Sequence, residues 1–135
     1  MTALETLPEE TFARSPIRLK TVLVVDDDVL FRALVISILS SAGYKVDEAA
    51  DGSEAIARVA KQHFDVMITD LVMPNREGLE TIQYFSQHFP QVPIVAVSGK
   101  ASYLRSASVL GAVATVEKTG VVAHLLGTIR RTMGE

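Results

Sequence analysis

Residues 21–28 read Thr-Val-Leu-Val-Val-Asp-Asp-Asp and carry the strongest structural signal in the chain. A short, β-branched and apolar run of this kind is typical of a strand that is buried on both faces. The run stops abruptly at three carboxylates, the last of which, Asp28, is suited to capping the helix that the following apolar period predicts. The stretch therefore predicts a buried strand whose carboxyl end concentrates negative charge.

The same alternation of apolar strand and amphipathic helix continues along the chain. Strands are predicted at residues 21–25, 44–49, 64–69, 94–97 and 112–117. Helices are predicted at residues 29–42, 53–62 and 79–89, in a short serine-rich segment up to residue 110, and after residue 118. Apolar strands separated by helices predict a parallel sheet that is covered on both sides, with right-handed crossovers.

Polar residues end four of the five predicted strands. They are Asp26 and Asp27, Asp70, Ser98 and Lys118, after the first, third, fourth and fifth strands. In open parallel sheets the ligand site lies outside the carboxyl ends of the strands, where the strand order reverses. We therefore expect these side chains to meet at one edge of the sheet.

The chemistry of this set indicates phosphoryl transfer. Three converging carboxylates repel one another, so they need a cation or protons, and a ligand set made only of oxygen favours Mg²⁺. Ser98 and Lys118 are donors of the kind that stabilise a transferring phosphoryl group. Asp70 is the predicted nucleophile because it stands alone at its strand end, whereas the Asp26 and Asp27 pair suits a metal.

Composition sets the limits within which this site must work. The 135 residues fit one domain, and residues 1–20, which lack a sustained apolar period, are predicted to be a tail or linker. A net charge of −3 without any basic run disfavours direct binding of nucleic acid. The chain has no cysteine, which excludes disulfides and thiolate metal sites. It has no leader-like start and no apolar stretch long enough for membrane insertion, so we expect a cytoplasmic protein.

Several spaced motifs resemble those of the receiver domains of two-component response regulators, including stand-alone receivers like the chemotaxis response regulator. The likeness spans about residues 21–133. It rests on VLVVDDD at residues 22–28, TDLVMP at 69–74, EGLE at 77–80, VAVSG at 95–99, Gly111-Ala112 and Lys118. The resemblance implies a flavodoxin-like, doubly wound (βα)5 fold over residues 21–135, with a five-stranded parallel sheet in the order 2-1-3-4-5.

The resemblance also implies roles for the polar residues. Asp70 would accept a phosphoryl group from a histidine kinase or a histidine phosphotransfer protein. Asp27, Asp70 and the backbone carbonyl of Val72 would bind Mg²⁺ directly, and Asp26 would act mainly through water. Ser98 and Lys118 would hold the phosphoryl oxygens. The chain would be a phosphoacceptor signalling domain rather than an enzyme with its own substrate, and it would signal through an output protein that the sequence does not identify.

The sequence departs from the pattern of that family at two positions and in the charge of one helix. Thr115 stands where an aromatic residue is common, three residues before the lysine. Thr119 stands where proline commonly follows the lysine through a cis bond; a non-proline cis bond costs about 2.5–4 kcal/mol, so this bond is either trans or held cis under strain. The predicted fourth helix carries only Arg105 as a charged residue, which favours an output surface different from the charged dimer seam of one DNA-binding subfamily.

Two alternative functions remain open on the sequence. One is a Mg²⁺-dependent phosphohydrolase that also uses an aspartate nucleophile, although Val72 occupies the position where such enzymes commonly have a second acid. The other is a receiver-like binding module that is not phosphorylated. Each polar residue could also be a helix cap, a turn former or a solvated charge, but their joint placement disfavours that interpretation.

The first predicted helix is apolar around more than one face. Nine of its residues are apolar: Val29, Leu30, Phe31, Ala33, Leu34, Val35, Ile36, Ile38 and Leu39. This excess predicts either deeper burial, beneath the final helix or the N-terminal segment, or a docking surface for a kinase or phosphotransfer helix.

Overall fold

The computed structural model describes residues 19–71 and 77–135. Its five strands form one sheet, and every neighbouring pair is parallel. The strands are β1 (Thr21–Val25), β2 (Lys45–Ala49), β3 (Val66–Asp70), β4 (Ile94–Ser98) and β5 (Ala114–Glu117). The strand order is β2-β1-β3-β4-β5, which confirms the predicted doubly wound α/β fold.

Within the described residues, five α-helices alternate with these strands. They are α1 (Val29–Ser41), α2 (Gly52–Lys61), α3 (Glu77–His88), α4 (Ala101–Leu110) and α5 (Val121–Thr132). A short 3-10 turn, Lys118–Gly120, leads from β5 into α5. Asp28 caps α1 as predicted, because its side chain accepts hydrogen bonds from the backbone N–H groups of Leu30 and Phe31.

The sheet separates two hydrophobic cores. Val22 and Val24 of β1 face the core shared with α1 and α5, whereas Leu23 and Val25 face the core shared with α2, α3 and α4. The alternation of side chains along a strand puts successive residues on opposite faces. Every residue of β3 and β4 is buried, which is why these strands read as continuous apolar runs in the sequence.

Three strands begin later than the sequence predicts, β2 by one residue and β3 and β5 by two residues each. β3 begins at Val66 rather than at residue 64. Phe64 is buried in the core, which explains the apolar signal, but it lies just before the residues that pair in the sheet. β5 begins at Ala114 rather than at residue 112. Gly111, at a φ of 127°, and Ala112 still donate their N–H groups to the carbonyl of Ala107 at the end of α4.

The predicted N-terminal tail lies mostly outside the described residues. Residues 1–18 are not described, Leu19 and Lys20 are exposed, and β1 begins at Thr21, the first residue of the predicted domain. The predicted boundary therefore stays a prediction. No helix in the described ranges is long and apolar enough to span a membrane.

Gly78 is required where α3 approaches the end of β3. A Cβ atom at this position would lie 2.6 Å from the backbone oxygen of Asp70 and 2.6 Å from the Cα atom of Leu71. Backbone atoms cannot move aside as a flexible side chain does, so we expect Gly78→Ala to lower the free energy of unfolding by about 1–3 kcal/mol, even though alanine is the better helix former. Urea denaturation measures the change.

Gly99→Ala is the matched control for this substitution. A Cβ atom at Gly99 would have no neighbour within 4 Å. Its free energy of unfolding should stay within about 0.5 kcal/mol of the wild-type value. Equal stability of the two variants would contradict the close packing of α3 against β3.

Candidate functional site

Three carboxylates converge at the carboxyl ends of β1 and β3. Val25 of β1 pairs with Thr69 of β3, so the residues that follow, Asp26 and Asp70, lie side by side at the same level of the sheet. One carboxylate oxygen from each of Asp26, Asp27 and Asp70 lies within 4.8 Å of the others. Asp26 and Asp70 are each only 2% exposed, whereas Asp27 is open to solvent.

Lys118 and Ser98 come to the same edge from β5 and β4. Lys118 opens the 3-10 turn directly after β5, and its Nζ lies 3.5 Å from Oδ2 of Asp70. Ser98 is the last residue of β4, is fully buried, and its Oγ accepts a hydrogen bond of 3.1 Å from the backbone N–H of Lys100. The topology thus delivers the polar residues of four strands to one edge, as the sequence predicts.

Arg32 stabilises the turn after β1 that carries Asp26 and Asp27. Its Nη1 donates to the backbone carbonyl of Asp26, and its Nε forms an ion pair of 2.6 Å with Oε1 of Glu48 on β2. The carboxylate of Asp26 in turn accepts a 2.8 Å hydrogen bond from the backbone N–H of Asp28. These bonds hold the β1–α1 turn against the neighbouring strand, which sets the position of both carboxylates.

The buried carboxylates are electrostatically unfavourable when the site holds only protein groups. The pKa of Asp26 is raised from 3.8 to about 6, first by burial and then by the neighbouring charges of Asp70 and Asp27. The hydrogen bond from Asp28 and the charge of Lys118 act in the opposite direction but do not restore the ordinary pKa. A divalent cation would offset this repulsion.

The donor set fits Mg²⁺. The cluster offers carboxylate oxygens from three residues, one of them exposed, and Mg²⁺ prefers a few carboxylates with water completing its octahedral shell. The predicted backbone ligand, the carbonyl of Val72, lies outside the described residues, so its role stays a prediction.

Two residues near this site were not recognised from the sequence. The Phe31 ring lies under Lys118, with Nζ 4.3 Å from the ring centroid, and Arg32 makes the contacts described above. In the sequence Phe31 belongs to an apolar helical period, and this pattern predicts burial rather than a place beside the lysine. The available signal was spacing: both residues lie in the first turn of the helix that follows the acids, which turns their side chains back toward the strand ends.

The structure describes the positions at which the sequence departs from the family pattern. No peptide bond is cis within residues 19–71 and 77–135, so the bond between Lys118 and Thr119 is trans. Thr115 is half-buried on β5, and Arg105 is exposed on α4. The chain therefore enters α5 through the 3-10 turn without a cis bond.

Comparisons with known proteins agree with this architecture. The family model of the response regulator receiver domain matches residues 22–130. The structure of the chemotaxis protein CheY4 from Vibrio cholerae is 32% identical, with a TM-score of 0.78, over 85% of this chain and 99% of that one. The response regulator TrrA from Thermotoga maritima, solved in complex with Mg(2+)-BeF, is 27% identical with the same TM-score, over 84% of this chain and 99% of TrrA.

Longer proteins contain a similar region. The sensor protein EvgS of Escherichia coli K12 is 37% identical over 95 residues, which are 68% of this chain and 8% of EvgS. The probable transcriptional regulatory protein TcrX of Mycobacterium tuberculosis is 34% identical over 80 residues, which are 59% of this chain and 34% of TcrX. The chain thus spans only a small part of these curated relatives.

The chain belongs to the response regulator receiver domain family. It is a receiver domain of the two-component systems. Receiver domains are phosphoacceptor signalling domains that receive signals from histidine kinases and generally bind Mg²⁺. This confirms the family and the fold that the sequence motifs predict.

The raised pKa of Asp26 predicts a pH dependence of the metal-free protein. A carboxyl group whose pKa is about 6 in the folded chain and 3.8 in the unfolded chain stabilises the fold below pH 3.8, and this contribution is lost as the pH rises through 6. Asp26→Asn removes the titration and keeps an acceptor for Asp28. In urea denaturation with EDTA, we expect it to be as stable as the wild type near pH 4 and more stable by up to about 3 kcal/mol near pH 8.

Asp28→Asn is the control, because this position is exposed and asparagine caps a helix as well as aspartate does. Its stability relative to the wild type should show no such rise with pH. An Asp26→Asn difference that is constant across the pH range would show that burial and like charge do not raise the pKa of Asp26.

Proposed function

We propose that this receiver domain is a phosphorylation-dependent switch in a two-component phosphorelay, in which Asp70 accepts the phosphoryl group. The observation that carries the proposal is the placement of Asp70. It is buried at the end of β3, beside the other two acids, with the ammonium group of Lys118 3.5 Å from its Oδ2. The donor would be a phosphohistidine on a histidine kinase or a histidine phosphotransfer protein.

The transfer replaces one phosphorus bond by another. A carboxylate oxygen of Asp70 forms a bond to phosphorus while the bond from phosphorus to the donor's histidine nitrogen breaks, and that electron pair stays on the imidazole, which takes up a proton. Lys118 stabilises charge on the phosphoryl oxygens, and the Ser98 hydroxyl donates to one of them. Asp27, Asp70 and the Val72 carbonyl would hold Mg²⁺, with Asp26 acting through water, and the bound ion would supply further positive charge.

The exposed face of α1 supports a docking role. Val29 is 65% exposed, Leu30 is 81% exposed and Leu34 is 41% exposed, so the described part of the chain does not bury them. Ile36, by contrast, packs partly against the core. We propose that Val29, Leu30 and Leu34 contact the phosphodonor protein, since they lie on the helix that starts beside the acidic cluster.

The remaining parts of the proposal concern the context of the chain. Residues 21–135 would form the receiver domain and residues 1–20 a tail or linker. The phosphorylated domain would act through contacts with an output protein, because phosphorylation adds about two negative charges that bias a two-state equilibrium of the fold. A cytoplasmic location is part of the same proposal.

The central test is intact mass after incubation with Mg²⁺ and acetyl phosphate. We expect one phosphoryl adduct on the wild type, and none on Asp70→Asn or in the presence of EDTA. Beryllofluoride binding, followed by NMR, guards against an adduct that hydrolyses too quickly to be detected. If no adduct forms and no beryllofluoride binds, the result favours a receiver-like binding module. Sustained turnover of phosphate esters would favour the phosphohydrolase.

Leu30→Ser tests the docking face of α1. Its side chain is so exposed that the change should leave the fold intact, and the rate with acetyl phosphate should be unchanged. Transfer from a panel of phosphorylated histidine phosphotransfer domains should slow about tenfold, as expected for loss of one apolar contact at an interface centre. Val109→Ser is the control, because Val109 is 87% exposed on α4. Equal transfer rates for both variants would contradict docking on α1.

A further inference from the structure

Lys118 has a second partner besides Asp70. Its Nζ lies 3.5 Å from Oδ2 of Asp70 and 4.3 Å from the centroid of the Phe31 ring. The second distance is well inside the range in which a cation is attracted to the face of an aromatic ring, about 6 Å. The ammonium group is thus held between a carboxylate and an aromatic face.

Phe31 is the more firmly placed of the two side chains. It lies in the first turn of α1, where its N–H donates 3.2 Å to the capping carboxylate of Asp28, and its ring packs against the core shared by α1 and α5. The Lys118 side chain is 29% exposed and has four flexible carbons, so solvent competes for its ammonium group. The ring can therefore restrict the lysine, whereas the lysine cannot move the ring.

We propose that Phe31 is a positioning residue that keeps the Lys118 ammonium group over Asp70 before the phosphoryl group arrives. This inference rests on the proposed function, since it assigns a role within that phosphoryl transfer. The attraction to a ring face is spread over the face and lacks the directionality of a hydrogen bond. Lys118 can therefore shift from the carboxylate of Asp70 toward phosphoryl oxygens without losing contact with the ring.

The expected consequence is kinetic. A lysine already in place stabilises the charge that develops during transfer without reorganising first. In Phe31→Leu the side chain stays apolar but loses its aromatic face, and the ammonium group is freer to point into solvent. We expect phosphorylation by acetyl phosphate at saturating Mg²⁺ to slow about two- to fivefold, the factor that corresponds to a cation–π contact of moderate exposure. Phe31→Tyr should retain the wild-type rate.

Phe89→Leu is the matched control. Phe89 is also a partly buried phenylalanine, but it packs in the core on the opposite side of the sheet, away from Lys118. Its loss should leave the phosphorylation rate unchanged. A decrease in rate of the same size in both leucine variants would assign the effect to general loosening of the fold and would overturn the inference.

Two further readouts separate the electrostatic role from a packing role. Fluorinated phenylalanines placed at position 31 by amber suppression weaken the negative face of the ring with little change in size, so the rate should fall stepwise as fluorines are added. NMR should show contacts between the ε protons of Lys118 and the Phe31 ring protons in the unphosphorylated protein. A rate independent of fluorination, or absence of these contacts, would overturn the inference.

The outcomes distinguish this inference from the function on which it rests. A wild type that is phosphorylated on Asp70 and a Phe31→Leu variant with an equal rate would overturn the role of Phe31 alone. A wild type that acquires no phosphoryl group and binds no beryllofluoride would overturn both.

Discussion

The repulsion between buried carboxylates at the ends of β1 and β3 is the constraint on which the rest of the site depends. Asp26 and Asp70 are both nearly inaccessible to water, and oxygens of Asp26, Asp27 and Asp70 lie within 4.8 Å of one another. The parallel pairing of β1 with β3 forces this proximity, because the sheet is buried on both faces and its register cannot slip. Holding this negative charge at one edge of the sheet therefore destabilises the folded state.

Positive groups from two other elements make this arrangement tolerable. Lys118 approaches Asp70 from the end of β5, and Arg32 binds the backbone carbonyl of Asp26 while it pairs with Glu48 on β2. The charge of Lys118 does not outweigh the burial of Asp26 and the charges of Asp70 and Asp27, so the pKa of Asp26 stays raised to about 6. A site left with excess negative charge attracts a divalent cation, and the cation-bound site is the one that we propose accepts a phosphoryl group. The negative charge that the basic groups leave uncompensated is thus what favours binding of a cation at this site.

Phe31 connects this chemistry to a surface. The residue lies on α1 next to Leu30, which is exposed, and its ring touches Lys118 within the site. In this chain Thr115 occupies the position on β5 where related receivers commonly have an aromatic residue, whereas the Phe31 ring, 4.3 Å from the Nζ of Lys118, lies on α1. The first turn of α1 therefore carries both Leu30, which belongs to the face proposed to meet the phosphodonor, and Phe31, which contacts the lysine proposed to stabilise transfer.

The sequence by itself determined the fold class and the set of polar strand-end residues that share one edge of the sheet: Asp26, Asp27, Asp70, Ser98 and Lys118. The continuous apolar runs of β1, β3 and β4 require burial on both faces, and strands buried in this way bring the polar residues at their ends to a common edge. The late starts of β3 and β5 were not predictable, because hydrogen bonding of neighbouring segments sets them. Only the tertiary structure decided that Phe31 lies under Lys118, that Arg32 bridges to Glu48 and that the Lys118–Thr119 bond is trans. Apolar period and charge show which way a residue faces; which side chain it meets depends on how helices and turns distant in sequence pack together.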